Sequence, residues 1–218
     1  MRGALALAGI GVLALLGLTQ QKKPVPPAKP LPPAKPSPHS PAKRPKPEMP
    51  NMDATSFALM FWPSAVQVQD QYRVPALVTI GQAALESGWG KHMPRNNMFG
   101  IKAPSSWTGL RQLLTTTEYH NGPNVKYPVV ISVEEVKPGR YRYLVRDYFK
   151  AFLTPAEAFA DHANLLKKRY AFAFKSKDAY QFAEAIAGKY ATDPDYANKL
   201  TATMRKIEKI LVDNRLVA

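Results

Sequence analysis

The stretch from Pro75 to Ala103 constrains this chain more than any other part of it. Pro75-Ala-Leu-Val-Thr-Ile-Gly-Gln-Ala-Ala-Leu-Glu86 is an apolar run with helical spacing that carries one carboxylate to its C-terminal end, and Ser87-Gly88-Trp89-Gly90 and a polar loop follow at once. Pro75 stands where a first-turn proline belongs, Leu77, Ile80, Ala84 and Leu85 mark a buried face, and Gly88 and Gly90 supply the stop. A carboxylic acid at the rim of an apolar helix is poorly solvated. Its charged form is disfavoured, and its pKa should rise toward the range of a general acid. Such an acid suits cleavage of a glycosidic bond.

The rest of the chain reads as helices around a small β segment. The 168 residues from 51 onward make one ordinary domain, large enough to bury its own core. Asp53 to Tyr72 has helical spacing, with Phe57, Leu59, Phe61 and Val66 as apolar positions, and Pro63 is expected to restart it as a second short helix. Leu113 to His120, Val125 to Val136 and Tyr141 to Phe149 are rich in Thr, Val and Tyr, with Asn121-Gly122 and Pro138-Gly139 as turn signals. They predict a small antiparallel sheet or long hairpin beside a cleft. Thr154-Pro155-Ala156-Glu157 is a capping box opening a helix that ends near Arg169. Ala179 to Ala187 is a further helix stopped by Gly188. Asp193-Pro194 starts the last one, with Tyr196, Leu200, Met204, Ile207 and Leu211 on one stripe. The predicted class is mainly α with a small β lobe (α+β).

Three segments, in order, resemble a known family. Leu85-Glu86-Ser87-Gly88-Trp89-Gly90 followed by Asn96-Asn97-Met98-Phe99-Gly100-Ile101-Lys102 resembles the signature of the bacterial peptidoglycan N-acetylglucosaminidases, glycoside hydrolase family 73, found in flagellar hydrolases and autolysins. Thr116-Thr117-Glu118-Tyr119-His120-Asn121-Gly122 resembles that family's Thr-Glu-Tyr segment, and Tyr190-Ala191-Thr192-Asp193-Pro194-Asp195-Tyr196-Ala197 its Tyr-Ala-Thr-Asp-Pro segment. The resemblance spans residues 55 to 211, nearly all of the chain outside the N-terminal tail. It implies a lysozyme-like fold and cleavage of the β-1,4 linkage in peptidoglycan glycan strands.

By the same resemblance, Glu86 is the general acid that protonates the leaving oxygen. Glu118 takes the second acidic position, activating water or stabilising the cationic transition state, and Tyr190 is the functional tyrosine near the cleft. Carboxyl groups about 6.5–9.5 Å apart suit inversion and about 5–5.5 Å a covalent nucleophile, while a 2-acetamido substrate can supply its own nucleophile, so Glu118 need not be indispensable. Trp89, Phe99, Trp107 and Tyr119 are candidate faces for sugar rings. Asn97 and its neighbour Asn96 either bind acetamido groups or hold loop turns. Glu134 and Glu135 are rival acidic positions. Alternatives on the same scaffold are a muramidase, a lytic transglycosylase and a non-catalytic wall-binding tether. Transglycosylases typically carry a Gly-Leu-Met-Gln type segment where this chain has Phe99-Gly100-Ile101-Lys102.

Charge and the N-terminal fifty residues bear on partners. The net charge of +14 is shared equally between residues 1–50 and the domain, which favours a polyanionic partner such as nucleic acid, anionic lipid or an anionic wall. No zinc-finger, RNP or helix-turn-helix pattern supports nucleic acid. With no cysteine there is no disulfide, thiolate metal site or cysteine nucleophile. His39, His92, His120 and His162 lack metal-ligand spacing, and neither a metal nor a cofactor is expected. A monomer is expected.

Gly3 to Thr19 is an uncharged stretch of 17 residues, about 26 Å as a helix and at the lower limit for a bilayer. An uncleaved membrane anchor over residues 1–21 is favoured over a signal peptide, since Gly17-Leu18-Thr19 is a poor cleavage site. More Lys and Arg follow the segment than precede it, which by the positive-inside tendency would keep the domain in the cytoplasm; the catalytic motifs override that and place it facing a cell wall, or on a virion membrane. A cleaved segment would make the protein secreted. Residues 22–50 hold 12 of the 21 prolines and should be extended, reaching about 90 Å as a spacer, with the catalytic domain over 51–218.

Overall fold

The computed structural model describes residues 52–191 and 193–217, so the apolar segment Gly3–Thr19 and the linker over 22–50 lie outside the described residues. The first helix, α1, spans Ala54–Tyr72, capped by the Asp53 carboxylate, which accepts from the Ser56 amide at 2.7 Å. It does not restart at Pro63 as expected: the proline lies inside one continuous helix. Pro63 and Leu59, whose carbonyl loses its donor, are both exposed, and a helix tolerates that lost bond where solvent is at hand. Phe57, Ala58, Phe61, Ala65 and Val68 form the buried stripe instead of Leu59.

Helix α2 (Ala76–Ser87) is the centre of the molecule. Pro75 precedes it as the cap residue, one place earlier than the sequence suggested. A single buried face was too narrow an expectation. Ala76, Val78, Thr79, Ile80, Gly81, Gln82, Ala83, Ala84 and Ser87 are all buried, while Leu77 and Leu85 are only partly so. A helix apolar on all sides has to be surrounded, and α2 packs against α1 and, later in the chain, α4 (Ala179–Tyr190) and α5 (Tyr196–Asp213). Each Val or Ile so buried contributes about 1.5–3 kcal/mol.

The β lobe is a three-stranded antiparallel sheet of β1 (Arg111–His120), β2 (Val129–Lys137) and β3 (Arg140–Lys150), in the order β1-β3-β2. Pro138-Gly139 closes the β2–β3 hairpin, with Gly139 at φ 73°. Asn121-Gly122 does not join paired strands, because β3 lies between β1 and β2. The second strand begins at Val129, later than the expected Val125, and the residues before it form a loop. Register places Glu118 opposite Tyr143 and Leu114 opposite Asp147, so these four share one face.

Helix α3 (Pro155–Arg169) opens on Thr154, whose hydroxyl accepts from the Glu157 amide at 3.2 Å. Glu157 reaches back to the Leu153 amide at 2.9 Å, one residue before the cap. Helix α4 runs through Gly188 to Tyr190, so the expected stop there is corrected. Burial of Ala187 and Tyr190 holds the last turn helical past the glycine. The expected stripe of α5 is its buried face, residue for residue.

Candidate active site

Glu86 sits in the last turn of α2, and the chain turns away immediately beyond it. Gly88, Trp89 and Gly90 have φ of 60°, 61° and 81° in succession. The Ser87 hydroxyl, bonded to the Ala83 carbonyl at 2.6 Å, accepts from the Gly90 amide at 2.8 Å and fixes this left-handed turn. No further helical turn therefore covers the carboxyl. Partial burial disfavours its charged form and raises its pKa to about 7, partly offset by a hydrogen bond from Tyr196.

That bond belongs to a directional chain. Gln82 Nε2, one helical turn before Glu86, donates to the Tyr196 hydroxyl at 3.1 Å, and Tyr196 donates to Glu86 Oε1 at 3.0 Å. Burial and the charge of Glu86 push the Tyr196 phenol far above its ordinary range, so it stays a donor. With Oε1 occupied as an acceptor, the proton of a neutral Glu86 belongs on Oε2. Tyr190, at the end of α4, stacks on Tyr196 with ring centroids 5.4 Å apart. Burial, followed by the charge of Glu86, raises its phenol well above the usual value. His162 of α3 lies behind it, with Nε2 3.2 Å from the Tyr190 hydroxyl.

Glu118 occupies different surroundings in the β lobe. It is buried, accepts from the Thr116 hydroxyl at 3.1 Å and pairs with Lys102 Nζ at 2.8 Å; Lys102 also meets Asp147 at 3.0 Å. Tyr127, folded over this group from the loop before β2, has its phenol pushed up to about 12 by burial and by the charges of Glu118 and Asp147. One candidate acid is thus desolvated with a neutral donor, and the other is in contact with a cation.

The proposed sugar-contacting residues divide. Trp89 packs edge-on against Phe57 with Lys206 4.9 Å over its ring, which holds a bulky residue in the left-handed region. Asn97 is buried, and its amide bonds the Ile101 carbonyl at 3.0 Å, the Lys150 carbonyl at 2.9 Å and the Ile101 amide at 3.0 Å, so it holds the loop to β3. Asn96 similarly bonds the Phe152 and Leu153 carbonyls, both at 3.1 Å. Phe99 is buried and stacks on His162 at 3.8 Å. Trp107 is partly exposed, with its indole N–H on the Leu110 carbonyl at 3.0 Å and Lys150 4.0 Å over the ring. Tyr119 is half exposed, on the sheet face opposite to Glu118. The rival Glu134 pairs with Arg142, and Glu135 accepts from the Gly139 amide at 2.8 Å, so both brace the β2–β3 hairpin.

Sequence reasoning missed Gln82, His162, Lys102 and Asp147, and read Tyr196 only as core. Gln82 carried a signal: it is the one amide side chain in an apolar run, four residues before the acid. Tyr196 falls inside the third motif. Lys102 closes the first motif, but Asp147 gave no signal, since a backbone bridge between Lys102 and Phe149 is what brings the two together.

Residues 62–209 match the family model for glucosaminidase, described as mannosyl-glycoprotein endo-beta-N-acetylglucosaminidase. The chain is 34% identical over 169 residues to the peptidoglycan hydrolase FlgJ of Escherichia coli K12, covering 72% of this chain and 48% of FlgJ. It is 31% identical over 150 residues to the exo-glucosaminidase LytG of Bacillus subtilis, covering 64% and 46%. Among solved structures it is similar to the glycoside hydrolase domain of Salmonella typhimurium FlgJ, with a TM-score of 0.58, 29% identity, and coverage of 75% of this chain and 94% of that one. The peptidoglycan hydrolase of Sphingomonas sp. A1 matches with a TM-score of 0.52 and 30% identity over 75% and 97%. The chain spans about half the length of these curated relatives. Among the described residues, no helix is long and apolar enough to cross a membrane.

Proposed function

Because the chain belongs to the glucosaminidase family, we propose that it is a peptidoglycan hydrolase cutting the β-1,4 bond on the N-acetylglucosamine side of wall glycan strands, with Glu86 as general acid. The observation that carries this reading is the Glu86 carboxyl, held in the final turn of a buried helix with its pKa raised to about 7. At neutral pH such a group is partly protonated and can give its proton to the leaving glycosidic oxygen from Oε2. Glu118, on the β lobe, takes the developing positive charge or the incoming water, and Lys102 and Thr116 fix its Oε1. Tyr190 supports the site through its stacking on Tyr196, the residue that donates to Glu86.

The full-length chain faces a cell wall in this reading. The apolar segment over residues 1–21 anchors it, and residues 22–50 serve as a spacer to the catalytic domain over 51–218; this rests on the sequence. Incubating full-length protein with purified sacculi tests the assignment. Soluble fragments are released by the native protein, and Glu86→Gln lowers the rate about 10²–10⁴-fold with circular dichroism unchanged. Binding to sacculi without release would identify a tether instead, and retained activity of Glu86→Gln would remove the acid from this site.

A further inference from the structure

The face of the β sheet turned away from Glu118 takes no part in the chemistry assigned above. Register puts Tyr119 beside Arg142, Thr115 beside Arg146 and Arg111 beside Lys150 on this face. Arg140 belongs to it too, since its guanidinium lies 5.6 Å over the Tyr119 ring; Arg111 lies in the same way 5.4 Å over Tyr148. The four arginines and both tyrosines are exposed. Glu134 is the one carboxylate that the three strands place among them, opposite Arg142 and paired with it. Lys150 is neutralised by Asp161 of α3. The inner face has the opposite sign, with Glu118 and Asp147 sharing Lys102.

Like charges on a solvated sheet ordinarily leave their side chains free, and here two of them are held. Arg140 donates to the Asn121 side chain at 3.0 Å and Arg111 to the Trp107 carbonyl at 3.2 Å. A guanidinium laid on a ring and tied by one hydrogen bond has already lost its rotamer freedom, so a ligand does not meet that cost. Each planar group has five N–H donors, and one bond leaves most of the fork open to a carboxylate. Arg140 and Arg146 stand about 20 Å apart along β3, a span that suits an extended polymer rather than a small anion.

We infer that this face binds the stem-peptide carboxylates of a wall strand other than the one being cut, which lies on the side of Glu86 and Glu118. The inference rests on the reading of peptidoglycan as the substrate. The amino-sugar backbone of peptidoglycan is neutral, whereas its peptides carry free carboxylates, the groups a guanidinium fork recognises. The outer face therefore grips the wall by a chemistry that the cleft does not use.

Pelleting with sacculi stripped of phosphate polymers tests it, every protein being full-length and carrying Glu86→Gln so that the wall is not digested. The basic tail is common to all of them and cancels. Arg111→Gln, Arg140→Gln and Arg146→Gln together, which leave the Arg142–Glu134 pair in place, should weaken binding on the order of tenfold at low salt. The gap should close in high salt. Lys at the same three positions should restore part of the binding, and Arg146→Glu, a single change at an exposed position, should weaken it in the same direction. On sacculi whose carboxylates have been amidated, the triple substitution should make little difference. An equal loss on native and amidated sacculi, or no loss on either, overturns the inference. A loss confined to walls that keep their phosphate polymers, or to duplex DNA, also overturns it and assigns the face to a phosphate partner. If the Glu86→Gln parent itself fails to pellet with native sacculi, the inference falls with the reading of peptidoglycan, whereas a parent that binds no better than the triple variant removes the face alone.

Discussion

Glu86 is a charge that the folded protein accommodates poorly, and its chemistry depends on that. Its pKa rises from an ordinary 4.5 to about 7 on burial. At pH below 4.5 both folded and unfolded chains carry the proton and nothing is lost. As pH climbs through 7 the folded state must bury a carboxylate, so stability falls across this window, by at most about 3 kcal/mol. Glu86→Gln should therefore melt at a higher temperature than the native protein at pH 8 and at nearly the same temperature at pH 4, as calorimetry can read. If Glu86 is the general acid as proposed, it sets the alkaline limb of the rate profile near pH 7. Tyr196 donates to it and holds the pKa down, so Tyr196→Phe should move that limb to higher pH. An unmoved limb would mean that Tyr196 does not contact the working acid. The sequence made Glu86 legible because desolvation follows from a carboxylate ending an apolar run. It left the partners of Glu86 unread, because hydrogen bonds from Gln82 and Tyr196 depend on how α2 and α5 face each other.

The approach of α5 to α2 is permitted by a missing side chain. A Cβ on Gly81 would lie 2.7 Å from Met204 Cγ and 3.3 Å from Leu200 Cδ1, so Gly81→Ala should push α5 outward. The expected result is a destabilisation of about 1–3 kcal/mol by denaturant unfolding, together with reduced activity, since Tyr196 travels with α5. Met204→Ala should return part of the activity in that background by making room. Elements were legible where a local rule governed them: the Thr154 cap, the Gly88 stop and the apolar stripe of α5. Pro63 and Gly188 misled because a breaker acts only when the neighbouring contacts allow the break. Pro63 lies on the water side of α1, and the buried Tyr190 carries α4 past its glycine. The order of the sheet was not legible at all, because a turn signal such as Asn121-Gly122 does not say which strand its flanks will pair with.

At the scale of the molecule, the helices carry Glu86 and the sheet carries Glu118, and a few contacts tie the two lobes together. Asn97 bonds the Lys150 carbonyl, and the Lys150 ammonium pairs with Asp161 of α3 at 2.7 Å. This scaffold, shared with solved peptidoglycan hydrolases, is lysozyme-like. The resemblance in three short motifs already implied it, because those motifs contact one another in the fold, Tyr196 meeting Glu86 and Lys102 meeting Glu118. If the tail works as proposed, full-length protein should sediment with membranes and stay there in high salt, since apolar insertion is insensitive to screening whereas the spacer's attraction to anionic polymers is not. The central claim is chemical, and it is tested most directly by the new chain ends. Sacculi digested by the full-length protein, reduced with borohydride and examined by mass spectrometry should carry reduced N-acetylglucosamine at the cut ends. Reduced N-acetylmuramic acid, or 1,6-anhydro-muramyl ends, would contradict it.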